Sequence, residues 1–232
     1  TKHSHGAMPA LKGHVLLVED DAVNAAVAEG YLEAVGCSCV WVKRGTDAVA
    51  RAASERFDLV LMDLNMPDMD GFAATKLIRQ REGQGVRVPI VAVTAHDASS
   101  HREKCLRADM DDILTKPYTL EDCTRLLKRW LERDAVAPAA VVKLPAPATK
   151  NESLVSVDAT VVASLRKLRS GAHGDLYARL VELFQVASTE SISQLQAAMA
   201  ARDLAAAAGF CHKFASSAAN VGALVYAKEL RR

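Results

Sequence analysis

Between residues 14 and 133 the sequence alternates five times between a short run rich in β-branched residues and a longer stretch with helical spacing. HVLLV (14–18) precedes DAVNAAVAEGYLEAVG, CVWVK (39–43) precedes TDAVARAASERF, and LVLMD (59–63) precedes GFAATKLIRQRE. PIVAVT (89–94) then precedes DASSHREKCLRA, and DILT (112–115) precedes TLEDCTRLLKRWLERD. Consecutive βα units of this kind predict a parallel sheet covered by helices on both faces. Local chemistry marks the boundaries: Gly36 as a C-cap of the first helix, Thr46 as an N-cap of the second, and Thr119 with Asp122 as a capping box.

The pattern then changes. Residues 134–154 are rich in Ala, Pro and Val without helical periodicity, and their prolines oppose a helix, which predicts a linker. From Val157 onward no strand pattern is evident. VDATVVASLRKLRS predicts one helix, and Gly171 to Gly174 a break. A long amphipathic helix follows, carrying Leu176, Leu180, Phe184, Ile192, Leu195 and Met199 at roughly helical spacing, and DLAAAAGFCHKFASSAANVG predicts a third helix. Residues 155–232 are therefore expected to be a partial helical bundle. With no further helix to cover Leu176, Leu180, Phe184, Phe210 and Phe214, swapping between chains into a homodimer, or disorder, is expected there. Residues 1–13, which begin TKHSHGAM, are expected to be a tag or linker remnant.

Composition narrows the function classes. Lys and Arg total 29 against 28 Asp and Glu, a net charge of +1 that gives no argument for nucleic acid or an anionic membrane as partner. No apolar run approaches the roughly 20 residues that span a bilayer. The five cysteines are scattered without metal-ligand spacing, which fits a reducing, cytoplasmic setting. No phosphate-binding GxxxxGK[ST] is present.

The chemistry-bearing residues fall at the C-terminal ends of predicted strands, where open parallel sheets bind their ligands. Glu19 and Asp20 follow the first strand, Asp63 closes the third, Thr94 the fourth, and Lys116 follows the fifth. Side-by-side pairing of the first and third strands would bring Glu19, Asp20 and Asp63 together. Three carboxylates in one pocket repel unless a cation joins them. Mg²⁺, which prefers oxygen ligands, would suit two carboxylates, the main-chain carbonyl of Asn65 and waters. With Lys116 as a positive charge and Thr94 as a hydroxyl, this describes a phosphoryl site with a carboxylate nucleophile.

VLLVEDD, LVLMDLNMPDMDG, VAVTA and TKPY together resemble the receiver domain of two-component response regulators over residues 14–133. The resemblance implies a flavodoxin-like (βα)5 fold of strand order 2-1-3-4-5. It implies Asp63 as phospho-acceptor, Mg²⁺ gathered by Glu19, Asp20, Asp63 and the Asn65 carbonyl, and Thr94 and Lys116 holding the phosphoryl group. Three residues before the lysine, where many receivers carry an aromatic, this chain has Ile113.

In HKFASSAANVGA (212–223), His212 lies about 160° around the helix from Phe210 and Phe214, so it is expected to face solvent over a low platform of Ala215, Ser216 and Ala219. No triad partner or zinc spacing accompanies it, but an imidazole can itself be a nucleophile. CHKFASSAANVGA resembles the signature of histidine-containing phosphotransfer (HPt) domains, which implies His212 as a phospho-carrier. Where that family often has Lys and Gly three and four residues after the histidine, this chain has Ala215 and Ser216, and its bundle needs more helix after Gly222.

Together the two resemblances imply the C-terminal part of a hybrid sensor histidine kinase. Its partners would be an upstream kinase domain and a downstream response regulator, with neither nucleic acid nor membrane contacted by this segment. Two rivals stand beside this reading. One is a phosphorylation-switched binding module with a docking or dimerising helical part. The other is an Asp-based phosphatase, which ordinarily carries a second Asp where this chain has Asn65.

Overall fold

The computed structural model describes residues 11–83, 87–94, 98–132, 157–170 and 174–230. The TKHSHGAM segment and the linker of 134–154 lie outside the described residues. Strands β1 (His14–Val18), β2 (Ser38–Val42), β3 (Leu59–Asp63), β4 (Ile90–Thr94) and β5 (Asp112–Thr115) form one parallel sheet in the order β2-β1-β3-β4-β5. Successive side chains alternate faces. Val15, Leu17, Leu59, Leu61, Val91 and Val93 pack with α1 (Ala22–Ala34) and α5 (Leu120–Leu131). Leu16, Val18, Val60, Met62, Ile90 and Ala92 pack on the other face with α2 (Gly45–Ser54), α3 (Gly71–Arg81) and α4 (Ala98–Arg107). Apart from His14, Asp63 and Thr94 at their ends, the central strands β1, β3 and β4 are apolar throughout because both of their faces are covered.

The helix ends follow mostly local rules. Gly36 has φ 91° just beyond α1, the left-handed conformation that glycine tolerates. Thr119 and Asp122 form the reciprocal capping box at α5. Thr46 does not cap α2: the helix starts two residues earlier than that cap implies, at Gly45, with Arg44 at the cap and no side-chain hydrogen bond. Gly71 opens α3 directly against the end of β3, and a Cβ there would sit 2.3 Å from the Asp63 carbonyl oxygen. Only glycine permits that approach.

The C-terminal region comprises α6 (Ala159–Lys167), α7 (Leu176–Ala200), α8 (Leu204–Asn220) and α9 (Leu224–Glu229). Between α6 and α7 lies a two-residue antiparallel pair, β6 (Arg169–Ser170) with β7 (Gly174–Asp175), which the sequence pattern did not suggest because two residues carry no periodicity. The expected lack of a cover for the apolar stripe is corrected here. Leu165, Leu176, Leu180 and Val221 share one hydrophobic cluster with α1, so the first domain supplies the missing surface. A Cβ on Gly30 would lie 2.4 Å from Leu176 Cδ2, so Leu176 occupies space that Gly30 leaves open. Phe214 is buried and stacks on Phe184 at 5.7 Å, and Arg179 reaches Glu29 at 3.9 Å at the rim. Each fully buried leucine contributes about 1.5–3 kcal/mol relative to exposure. Farther along α7, Ile192 and Met199 are exposed, and beyond Leu180 only Ala198 is buried.

Candidate active site

Parallel pairing of β1 with β3, in which Val18 lies opposite Met62, sets the residues that follow β1 beside Asp63. Lys116, after β5, is anchored by its backbone N–H donating to the Thr94 carbonyl at 2.7 Å. Its Nζ donates to Asp63 Oδ2 at 2.8 Å and to Glu19 Oε2 at 2.5 Å, with all three residues buried. Burial works against the charge on Lys116, but Glu19 and Asp63 more than offset it and raise its pKa. Thr94 is fully buried at the end of β4, and Ile113 packs into the core on the α3 side of the sheet. Asp21 caps α1 through Oδ1, accepting from the N–H groups of Val23 and Asn24, both at 2.9 Å. The Asn65 N–H donates to Asp63 Oδ1 at 3.0 Å, which fixes the start of the loop after β3.

One carboxylate oxygen from each of Glu19, Asp20 and Asp63 lies within 4.8 Å of the others. Burial pushes the Glu19 carboxyl up to about 8; Lys116 opposes that shift while Asp63 and Asp21 add to it. Hard oxygen donors crowded at low exposure, with repulsion between them, are the setting a small divalent cation relieves, so the residues present fit Mg²⁺. A proton held by Glu19 must leave when such an ion binds. Mg²⁺ affinity is therefore expected to fall as the pH is lowered from about 8. Calorimetric titration at pH 7 in two buffers of different ionisation enthalpy should reveal proton release, and equal enthalpies in both would refute the linkage.

The sequence pattern of the response regulator receiver domain matches residues 15–128. Residues 15–128 are a response regulator receiver domain. The sensor protein GacS of Pseudomonas syringae pv. syringae is 34% identical over 194 residues, which is 82% of this chain and 21% of GacS. The transcription factor SKN7 of Saccharomyces cerevisiae is 39% identical over 119 residues, covering 51% of this chain and 19% of SKN7. The chain thus spans about a fifth of the length of these relatives. Among solved structures, the magnesium-containing receiver domain of sensor histidine kinase PA1611 from Pseudomonas aeruginosa is 42% identical, covering 53% of this chain and 99% of that one, with a TM-score of 0.49. The Saccharomyces cerevisiae complex of the histidine phosphotransfer protein Ypd1 with the receiver of Ssk1 matches at 30% identity and a TM-score of 0.50, covering 54% of this chain and 93% of that one. The receiver places the chain in two-component signalling.

The receiver's acidic cluster is roofed by the helical region. A cavity of about 900 Å³ is lined from below by Glu19, Asp20, Asp63, Asn65 and Lys116, and from above by α8 residues that include His212 and Ser216. His212 does not face solvent: it is half-buried, with Nε2 shielded, and it shares this cavity with Asp63. Phe210 also lines the cavity rather than packing beside Phe214. The small platform is covered, with Ala215, Ser216 and Ala219 all buried. Ala215 and Ala219 cluster with Ala227 of α9 and with Phe184 of α7, while Ser216 lines the cavity over the receiver, so the platform is enclosed from both sides.

Three hydrogen bonds fix the register of this roof. Lys213 Nζ donates to Asp20 Oδ2 at 2.6 Å, the Ser217 hydroxyl to Asp21 Oδ2 at 2.8 Å, and Asn220 Nδ2 to Asn24 Oδ1 at 2.7 Å. Positions 213, 217 and 220 share one helical face. Sequence reasoning missed Asp21, Asn24, Lys213, Ser217 and Asn220 as interface residues. The signal was available in AVNAAVAEGYLEA of α1, which has almost no polar side; a helix apolar all round is a buried helix.

Proposed function

We propose that the chain is a phosphorelay unit, with a receiver over residues 14–133 and a histidine-phosphotransfer region over 155–232. The observation that carries this reading is that Asp63 and His212 line one cavity, with Glu19, Asp20 and Lys116 beside them. The match to GacS, longer than the receiver alone, supports a shared arrangement of both regions. The Ypd1–receiver complex supports the pairing of a receiver with a phosphohistidine carrier.

In this reading an Asp63 carboxylate oxygen attacks the phosphorus of a phosphohistidine from an upstream kinase domain. The P–N bond breaks, and the donor imidazole keeps the electron pair and is protonated. Onward transfer reverses the roles: a ring nitrogen of His212 attacks, the P–O bond to Asp63 breaks, and the carboxylate leaves with the pair. His212 then serves the aspartate of a downstream response regulator. Lys116 holds developing negative charge from one side, and the buried Thr94 bounds the phosphoryl pocket. Glu19, Asp20, Asp63 and the Asn65 main-chain carbonyl would hold Mg²⁺, which supplies charge neutralisation at the phosphoryl oxygens.

Labelling with acetyl phosphate and Mg²⁺ tests the scheme. Asp63→Asn is expected to abolish labelling, and His212→Gln to leave aspartyl phosphate but remove the acid-labile, base-stable phosphohistidine. Labelling that survives Asp63→Asn would sink the receiver chemistry. An unchanged pattern in His212→Gln would favour the second reading, a phosphorylation-switched module, for which the hydrogen-bonded seat of α8 on the receiver speaks. Rapid turnover of assorted phosphoesters would favour a phosphatase instead.

A further inference from the structure

The Lys213–Asp20 contact bears on the metal site, and the inference from it rests on the reading that the acidic cluster holds Mg²⁺. Asp20 is the most accessible of the three clustered carboxylates, half-buried where Glu19 and Asp63 are buried. Asp20 Oδ2 accepts from Lys213, whose ammonium comes from α8 rather than from the receiver. Lys116 already compensates Glu19 and Asp63 from below. In the docked arrangement three carboxylates therefore face two ammonium groups, one built into the receiver and one carried by the roof.

We propose that Lys213 is a tethered cation that competes with Mg²⁺ for Asp20, so that metal binding and seating of α8 on the receiver oppose each other. A carboxylate oxygen engaged with an ammonium at 2.6 Å must release it, or swing away from it, to join a small ion with strict octahedral demands. The two positive charges also repel across the same carboxylate. By linkage, the factor by which Lys213 weakens Mg²⁺ binding equals the factor by which Mg²⁺ weakens the Lys213 contact. The neighbouring bonds of Ser217 to Asp21 and Asn220 to Asn24 do not engage the three clustered carboxylates. They allow α8 to remain partly seated while its Lys213 end is displaced, which opens the cavity from the side of Asp20.

The test is Mg²⁺ titration of the whole chain, followed by tryptophan fluorescence, since Trp41 Nε1 donates to the Glu19 carbonyl at 2.8 Å, and by calorimetry. Lys213→Ala is expected to bind Mg²⁺ about five- to tenfold more tightly than the unmodified chain, and Lys213→Arg to stay within about twofold of it. Ser217→Ala, which loosens α8 without removing the cation, is expected to give a smaller gain than Lys213→Ala. In hydrogen exchange, Mg²⁺ should reduce protection at the cavity end of α8 in the unmodified chain. Equal or weaker Mg²⁺ binding in Lys213→Ala, with a circular dichroism spectrum unchanged from the unmodified chain, would overturn the competition while leaving the metal site intact. If Lys213→Ala loses helical structure, the exchange measurement on the unmodified chain decides: no Mg²⁺-dependent change at the cavity end of α8 refutes the proposal. Absence of Mg²⁺ binding in every variant would overturn both the inference and the metal reading beneath it.

Discussion

Lys116→Met is expected to destabilise the receiver by about 3–5 kcal/mol in the absence of divalent ions, because it removes one member of a buried charged group and leaves the others uncompensated. Lys116 Nζ contacts both Glu19 and Asp63, and all three side chains are buried. Glu19 can relieve part of the strain by holding its proton, since its carboxyl is already pushed up to about 8. Added Mg²⁺ should restore part of the lost stability by supplying positive charge at the same oxygens, and should restore more at high pH, where Glu19 is ionised. Urea denaturation with and without Mg²⁺ reads both effects. A loss below about 1 kcal/mol would mean that the ammonium contributes little beyond solvent compensation. Phosphate uptake from acetyl phosphate should fall sharply even under conditions where the variant is fully folded.

The second large effect is expected at the seam between the two regions. Leu176→Ala should cost about 2–5 kcal/mol, the range for a buried leucine whose cavity only partly collapses. Leu176 is about 1% exposed and fills the gap left by Gly30 on α1. Because that gap lies between the receiver and α7, the loss should fall on docking rather than on the sheet. Amides of α7 and α8 should exchange faster while those of β1, β3 and β4 stay protected, and a single thermal transition should split into two. Gly30→Leu approaches the same contact from the receiver side by filling the space that Leu176 occupies, and it should produce the same split. Uniform loss of protection across the sheet in both variants would show that the seam is part of one cooperative core.

The sheet and its acidic end were legible because their signals are local. Alternation of strand and helix fixes the parallel topology, and residues at strand ends converge once strand order is known. Glu19, Asp63 and Lys116 needed only the pairing of β1 with β3 and the position of β5 to meet. The helical region was legible as helices but not as a partner surface. In α8, small residues on most sides leave the helix without a strong apolar stripe, so angles measured from Phe214 could not say which flank lay open. His212 was expected in solvent and shares a cavity with the carboxylates, because α8 is seated on the receiver through Asp20, Asp21 and Asn24, residues distant in sequence. Lys213, Ser217 and Asn220 looked like ordinary polar positions, and only their counterparts Asp20, Asp21 and Asn24 give them meaning.

The seat of α8 on the receiver is made within a single chain, and that alters what an outside protein must do to reach Asp63. A covalently joined helix meets its site at an effective concentration that short tethers bring to the millimolar range. Three hydrogen bonds and a few buried leucines can then keep the face occupied most of the time. Any protein arriving in trans must displace a resident that never diffuses away. The order of events on this surface is therefore set less by the strength of each contact than by how often the tethered helix lets go.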